Sequence, residues 1–223
     1  NPGAKESVAN DTICNAVKNL ANCLYRYYGK KVIILLDEYD TPMQEAYLYG
    51  YWDQFTSFVR SLFNATFKTN PYLERAMMTG ITRVSKESVF SDLNNLNVIT
   101  STSQEYETSF EFTEEEVFTA LDNMGMSEQK EIVKSWYDGF VFGNQKDIYN
   151  PWSITNYLDK KQVRTYWADT SSNGLINRLI RQSSSEIKER MEELLQGKEI
   201  VVNFDEQIVF EQLDQDENAI WSL

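Results

Sequence analysis

Two adjacent carboxylates, Asp37 and Glu38, follow directly on the apolar run Val32-Ile33-Ile34-Leu35-Leu36. Such a run, rich in β-branched residues, predicts a strand buried on both faces, as in a parallel sheet. A strand of that kind delivers the residues that end it to a sheet edge. One carboxylate there can help to hold a magnesium shell, and the next can polarise an attacking water; the order of the pair assigns the metal to Asp37 and the general base to Glu38. The same residues admit a plainer reading, in which an acidic pair ends a buried strand and caps a turn with Asp40 and Thr41. A second polar segment, Thr79-Gly80-Ile81-Thr82-Arg83, follows the apolar Met77-Met78. Thr79 and Thr82 supply hydroxyls for ligand contact and Arg83 a cation that can stabilise developing phosphoryl charge, or the segment is a glycine turn with a surface arginine.

Chemistry at these two segments requires elements that bring them to one edge. Ser7 to Tyr28 carries apolar residues at Ile13, Val17, Leu20, Leu24 and Tyr28, which predicts a helix stopped by Gly29. Thr41-Pro42 is expected to end the segment after the first strand. Trp52, Phe55, Val59, Leu62 and Phe63 predict a helix over 51–67, and a second strand is expected at about Leu73 to Met78. Strand, crossover helix and strand make a βαβ unit, whose strands run parallel with their carboxyl ends on one side. Thr79 is therefore expected within about 10 Å of Asp37, since neighbouring strands lie about 4.8 Å apart.

After a third short apolar run at Val98 to Thr100, the pattern becomes one of short helices. Thr113 with Glu116 forms a capping box, Ser127 reads as another N-cap, and Asn150-Pro151 as another helix start. Phe140 to Ile148, with Gly143-Asn144 at its middle, predicts a β-hairpin. A helix is expected from Ser184 to Leu195, strands near 200–202 and 208–210, and a further helix from about Asp216. Trp136, Tyr137, Phe140, Tyr149 and Trp152 are assigned to the core of this half, because large aromatics mostly bury area. The division expected is an α/β core over 1–110 and a mainly helical sub-domain with a β-hairpin over 111–223.

Composition closes off several chemistries. The 223 residues contain two cysteines and no histidine, which excludes a Cys-rich structural zinc site, an H-E-x-x-H metalloprotease and a Ser-His-Asp triad. Cys14 and Cys23 fall on opposite faces of one predicted helix, about 13 Å apart, too far for a disulfide. The formal charge of −13 opposes direct binding of nucleic acid, whose phosphates are met by clustered Lys and Arg. No apolar run approaches the roughly 20 residues that cross a bilayer, and a cytoplasmic location is expected. The absence of an initiator Met suggests a piece cut from a longer protein.

Five apolar residues ending in Asp-Glu match the Walker B pattern, whereas the phosphate-binding Walker A loop, G-x-x-x-x-G-K-[ST], occurs nowhere in the chain. In P-loop folds that loop precedes the Walker B strand, so it is expected upstream of Asn1. The run Leu36-Asp37-Glu38-Tyr39-Asp40-Thr41-Pro42, then Thr79 to Ser88, Leu93-Asn94-Asn95-Leu96, Trp136 to Phe140, Tyr149-Asn150-Pro151-Trp152-Ser153, and Tyr166-Trp167 with Thr170 to Asn173, resembles the bacterial AAA-ATPase-like family. The resemblance spans roughly residues 10 to 223. It implies a partial P-loop NTPase core with a parallel sheet, a helical lid or winged-helix-like segment, and ATP with Mg2+ as ligands in the intact parent, none being expected on the fragment alone. Members are typically joined to a C-terminal PD-(D/E)XK nuclease-like domain, which would lie beyond Leu223. Two functions remain open: an ATP-binding and hydrolysing module that drives or gates an attached effector, and a non-enzymatic interaction or regulatory domain on the same scaffold.

Overall fold

The computed structural model of the chain describes residues 10–81, 89–90, 93, 96–167, 174–203, 205, 210–213 and 215–222. These residues gather into two units: 97–172 form one, and the segments on either side, 1–96 and 173–223, pack together as the other. The single boundary expected near 110 has two counterparts in this packing.

The first unit begins with two helices, α1 (Asn10–Cys14) and α2 (Ala16–Tyr28), where one was expected. The break falls at Asn15, whose side chain donates to the Asp11 carbonyl at 2.8 Å; asparagine competes in this way with helical backbone bonding. Gly29 ends α2 with φ +66° and its N–H on the Tyr25 carbonyl, as a C-terminal glycine does. Strand β1 (Val32–Leu36) follows. A helix not expected from the sequence, α3 (Thr41–Tyr49), comes next, and Pro42 sits in its first turn. Helix α4 (Trp52–Phe63) runs on into a π-helical turn at Asn64–Lys68 before β2 (Leu73–Met78).

The two strands pair in parallel, ending with Leu36 opposite Met78, so the chain is α/β with a two-stranded parallel sheet among its described residues. The expectation that β1 is buried on both faces is corrected. Leu36 and Met78 pack against the core, but Ile33 is 65% and Leu35 75% exposed. Only one side of a two-stranded ribbon meets the helices that follow it, and alternate residues of a strand point to opposite faces. The apolar stripe of α2 behaves similarly: Leu20, Leu24 and Tyr28 are exposed, and Ala21 is the buried residue.

The second unit holds β3 (Phe112–Thr113), α5 (Glu114–Asn123), α6 (Lys130–Tyr137), β4 (Asp138–Phe142), β5 (Gln145–Tyr149) and α7 (Pro151–Lys160). The capping box forms as expected: the Glu116 N–H donates to Thr113 Oγ1, and the Thr113 N–H to Glu116 Oε2 at 2.9 Å. Asn150 caps α7 by accepting the Ser153 N–H. β4 and β5 are the expected hairpin, and β3 adds a third antiparallel strand in the order β3-β5-β4. Residues 98–100 form no strand; there the Thr100 N–H donates to Ser103 Oγ and a turn closes. Ser127 opens a short 3-10 turn rather than capping a helix, and α6 starts at Lys130. The aromatic assignment divides. Tyr137 and Tyr149 are buried, but Trp136 and Trp152 are 51% and 55% exposed.

The chain then returns to the first unit through α8 (Gly174–Gln182), α9 (Ser185–Leu195), α10 (Phe210–Leu213) and a 3-10 turn at Glu217–Ser222. α8 was not expected. Ser184 caps α9, residues 200–202 form no strand, and Phe210 is helical; Ile208 lies outside the described residues. Leu175, Leu179, Ile187, Phe210 and Leu213 join Met43, Val59 and Phe63 in one core. No helix among the described residues is long and apolar enough to cross a membrane.

Candidate functional site

The parallel pairing carries Asp37 and Thr79 out of the same edge side by side. The Thr79 N–H donates to the Leu36 carbonyl and the Tyr39 N–H to the Thr79 carbonyl, both at 2.9 Å, so the ladder continues one step beyond the strands. The Thr79 hydroxyl donates to Asp37 Oδ1 and accepts the Glu38 N–H at 3.4 Å. Asp37, Glu38 and Thr79 are thereby brought together. Thr82 and Arg83, the other two expected site residues, lie outside the described residues.

Glu38 takes φ +51°, a left-handed conformation uncommon for a residue with a side chain. It turns the chain sharply between β1 and α3. Its carboxylate accepts the Thr41 hydroxyl at 3.1 Å, and its carbonyl accepts the Thr41 N–H at 3.2 Å. Asp40 is only 1% exposed. It occupies the N-cap position of α3, yet makes no capping bond with its side chain; Oδ2 accepts instead from the Ile81 N–H and from Gln44 Nε2, each at 3.2 Å. Gly80 allows this approach. A Cβ built there would meet Asp40 Oδ1 at 2.5 Å and Tyr39 Cε1 at 2.8 Å.

Asp40, Gln44 and Gly80 were not assigned site roles from the sequence, although Asp40 and Thr41 figured in the turn reading. The available signal was Asp-Thr-Pro: an acid two places before a proline marks the N-cap of a helix whose first turn tolerates Pro. Read as a helix start, it would have announced α3.

A second set of titratable groups lies in the other unit, at the base of the hairpin. Lys134 bonds Glu114, and Asp147 at 3.2 Å, and the Tyr149 hydroxyl donates to Glu114 Oε2 at 3.1 Å. Hydrogen bonds to Glu114 and then Asp147 raise the Lys134 ammonium above its ordinary range. Asp147 is held low by its bond to Lys134, then by Asp138, whereas Asp138 is raised by burial first and then by Asp147. Burial, followed by the charge of Asp138, raises Tyr149. No group of three or more Asp, Glu, Cys or His among the described residues could hold a metal ion.

Residues 3–90 match the AAA-ATPase-like family, described as a predicted AAA-ATPase. The chain is 27% identical over 145 residues to a protein of Azotobacter chroococcum mcd 1 titled "Uncharacterized protein in vnfD 5'region". That alignment covers 65% of this chain and 28% of the relative, so the chain spans little more than a quarter of the relative's length. No solved structure matches the chain. The segment bearing α1 to β2 is thus AAA-ATPase-like in sequence.

Proposed function

We propose that the carboxyl edge of β1 and β2 is the metal- and water-facing edge of an ATP-binding and hydrolysing module built on a P-loop core, with the mainly helical remainder serving as a lid or winged-helix-like segment. The observation that carries this reading is the Thr79 hydroxyl bonded to Asp37 at an edge where Glu38 is the next residue. Mg2+ takes oxygen ligands and usually keeps several waters, binding through one or two carboxylates plus phosphates. Asp37 and Thr79 offer such a donor set, and a three-carboxylate cage is not required. Bound there, Mg2+ would neutralise phosphoryl charge. Glu38 would accept the proton of the attacking water, and the Thr79 hydroxyl would fix which carboxylate oxygen of Asp37 faces the ligand. Thr82 would add a hydroxyl contact and Arg83 a charge toward the phosphates. No G-x-x-x-x-G-K-[ST] cradle occurs in the 223 residues, so the isolated chain would bind ATP with Mg2+ weakly, and the intact parent would use the module to drive or gate an attached effector.

The test is Glu38→Gln in the full-length parent. The amide keeps the shape of the side chain but cannot accept a proton, so steady-state hydrolysis should fall by about 10²- to 10⁴-fold with nucleotide binding retained. Hydrolysis near the wild-type rate would remove Glu38 as the base. The alternative is a non-enzymatic interaction or regulatory domain on the same scaffold. A parent that neither binds nor hydrolyses ATP would establish that one.

A further inference from the structure

The side chain of Asp40 is spent in an unusual way. Aspartate at a helix N-cap ordinarily accepts an N–H of its own first turn, and at 1% exposure an ionised carboxylate is costly to bury without close donors. This one caps no N–H of α3 and reaches across to the segment leaving β2, where it accepts the Ile81 N–H. Ile81 is 82% exposed, so packing does little to hold it. Gly80 is pressed so close beneath the carboxylate that no Cβ fits. Gln44, one turn into α3, braces the same oxygen from the other side. The segment Thr79-Gly80-Ile81 is therefore gripped at both ends: by the Leu36 and Tyr39 backbone at Thr79, and by Asp40 at Ile81.

We propose that Asp40 is a positioning residue for the Asp37–Thr79 pair. Its carboxylate clasps the Gly80–Ile81 backbone and thereby holds the Thr79 hydroxyl against Asp37. The clasp is a matter of geometry alone; only its consequence for metal binding rests on the function proposed above.

Two readouts on the 223-residue chain separate those claims. In the first, amide exchange is followed residue by residue in wild type, Asp40→Ala and Asp40→Asn. A hydrogen bond to a charged group is strong enough that its loss should speed exchange about tenfold or more at Ile81, and the loosening should reach Tyr39 and Thr79. The Val59 and Phe63 amides of α4, which report the whole unit, should change less than these three. Asp40→Asn keeps one carbonyl acceptor and should restore most of the protection. In the second readout, Mn2+ is titrated as the probe, and broadening of the Glu38 and Thr79 signals reports metal at the pair. Wild type and Asp40→Asn should broaden over the same range, and Asp40→Ala should need about tenfold more metal.

Unchanged protection at Tyr39 and Thr79 in Asp40→Ala would overturn the proposal, whatever Ile81 does. Where wild type does broaden, equal broadening in that variant would overturn the positioning of the pair by Asp40. If Asp40→Ala loosens α4 as much as the edge, the whole unit is opening, and Ile81→Pro decides instead, since it removes the donated N–H from an exposed residue. It should free Tyr39 and Thr79 as Asp40→Ala was meant to, and protection left intact there overturns the clasp. If wild type shows no broadening at all while exchange responds as expected, the metal reading of the edge fails and the clasp stands.

Discussion

Gly80→Ala adds one methyl group at the tightest point of the candidate site. The backbone at Gly80 is not among the positive-φ glycines, so alanine is conformationally acceptable there. On its own, the restriction of the unfolded chain would stabilise the protein by about 0.4–1 kcal/mol. Space decides the sign. The new Cβ would lie 2.5 Å from Asp40 Oδ1 and 2.8 Å from Tyr39 Cε1, and the Asp40 carboxylate cannot withdraw without lengthening its bonds to Ile81 and Gln44. Overpacking of this kind costs about 1–3 kcal/mol, and a hydrogen bond to a charged group lost with it about 1.5–3 more if nothing relaxes. After relaxation and the entropic offset, a net loss of about 1–3 kcal/mol is expected. The assay is denaturant-dependent exchange of the Val59 and Phe63 amides, which reports unfolding of the first unit without interference from the second. The loss should shrink in an Asp40→Ala background, where the carboxylate is gone and Tyr39 alone remains in the way. A Gly80→Ala protein as stable as wild type, or an equal loss in both backgrounds, would refute the reasoning.

Two further expectations concern the second unit. Thr113→Ala removes one half of the capping box and should cost about 1 kcal/mol, within the 0.5–2 range of such caps, read as loss of protection in the first turn of α5. A penalty below about 0.3 kcal/mol would mean that Glu116 caps without it. Asp138→Asn should stabilise the unit at neutral pH. Burial and Asp147 raise the Asp138 carboxyl in the folded state, so its contribution favours folding below the ordinary carboxylate range and is lost as pH rises through the folded value. The neutral amide avoids that loss, and the advantage should fade as pH falls below about 4. Unfolding midpoints at both pH values check it, and a variant less stable than wild type at pH 7 refutes it.

Much of the ladder at the site was legible because it follows from few rules. An apolar β-branched run, a helical spacing and a second apolar run force a crossover, and a crossover forces Asp37 and Thr79 to one side. The turn between them was misread. Thr41-Pro42 looked like a terminator, and the same proline is the first turn of α3, because Pro lacks only an N–H that no helix uses at that place. Burial was the least legible property. Ile33 and Leu35 have the side chains of a buried strand, but whether a face is covered depends on packing partners that no local pattern specifies. Trp136 shows the same limit: it neighbours the buried Tyr137 in α6 and is 51% exposed.

The return of the chain to the first unit has a consequence for how the protein is made. Met43, Val59 and Phe63 share their core with Leu179, Phe210 and Leu213, so synthesis must pass Leu213 before that core can close. The second unit is continuous in sequence and has every partner it needs much earlier. During translation, the N-terminal helices therefore wait with their apolar side uncovered while an already folded unit emerges between them and the residues that complete them. That order makes the first unit the slower of the two, because its contacts close a loop of more than a hundred residues, and keeps its apolar side uncovered for longer.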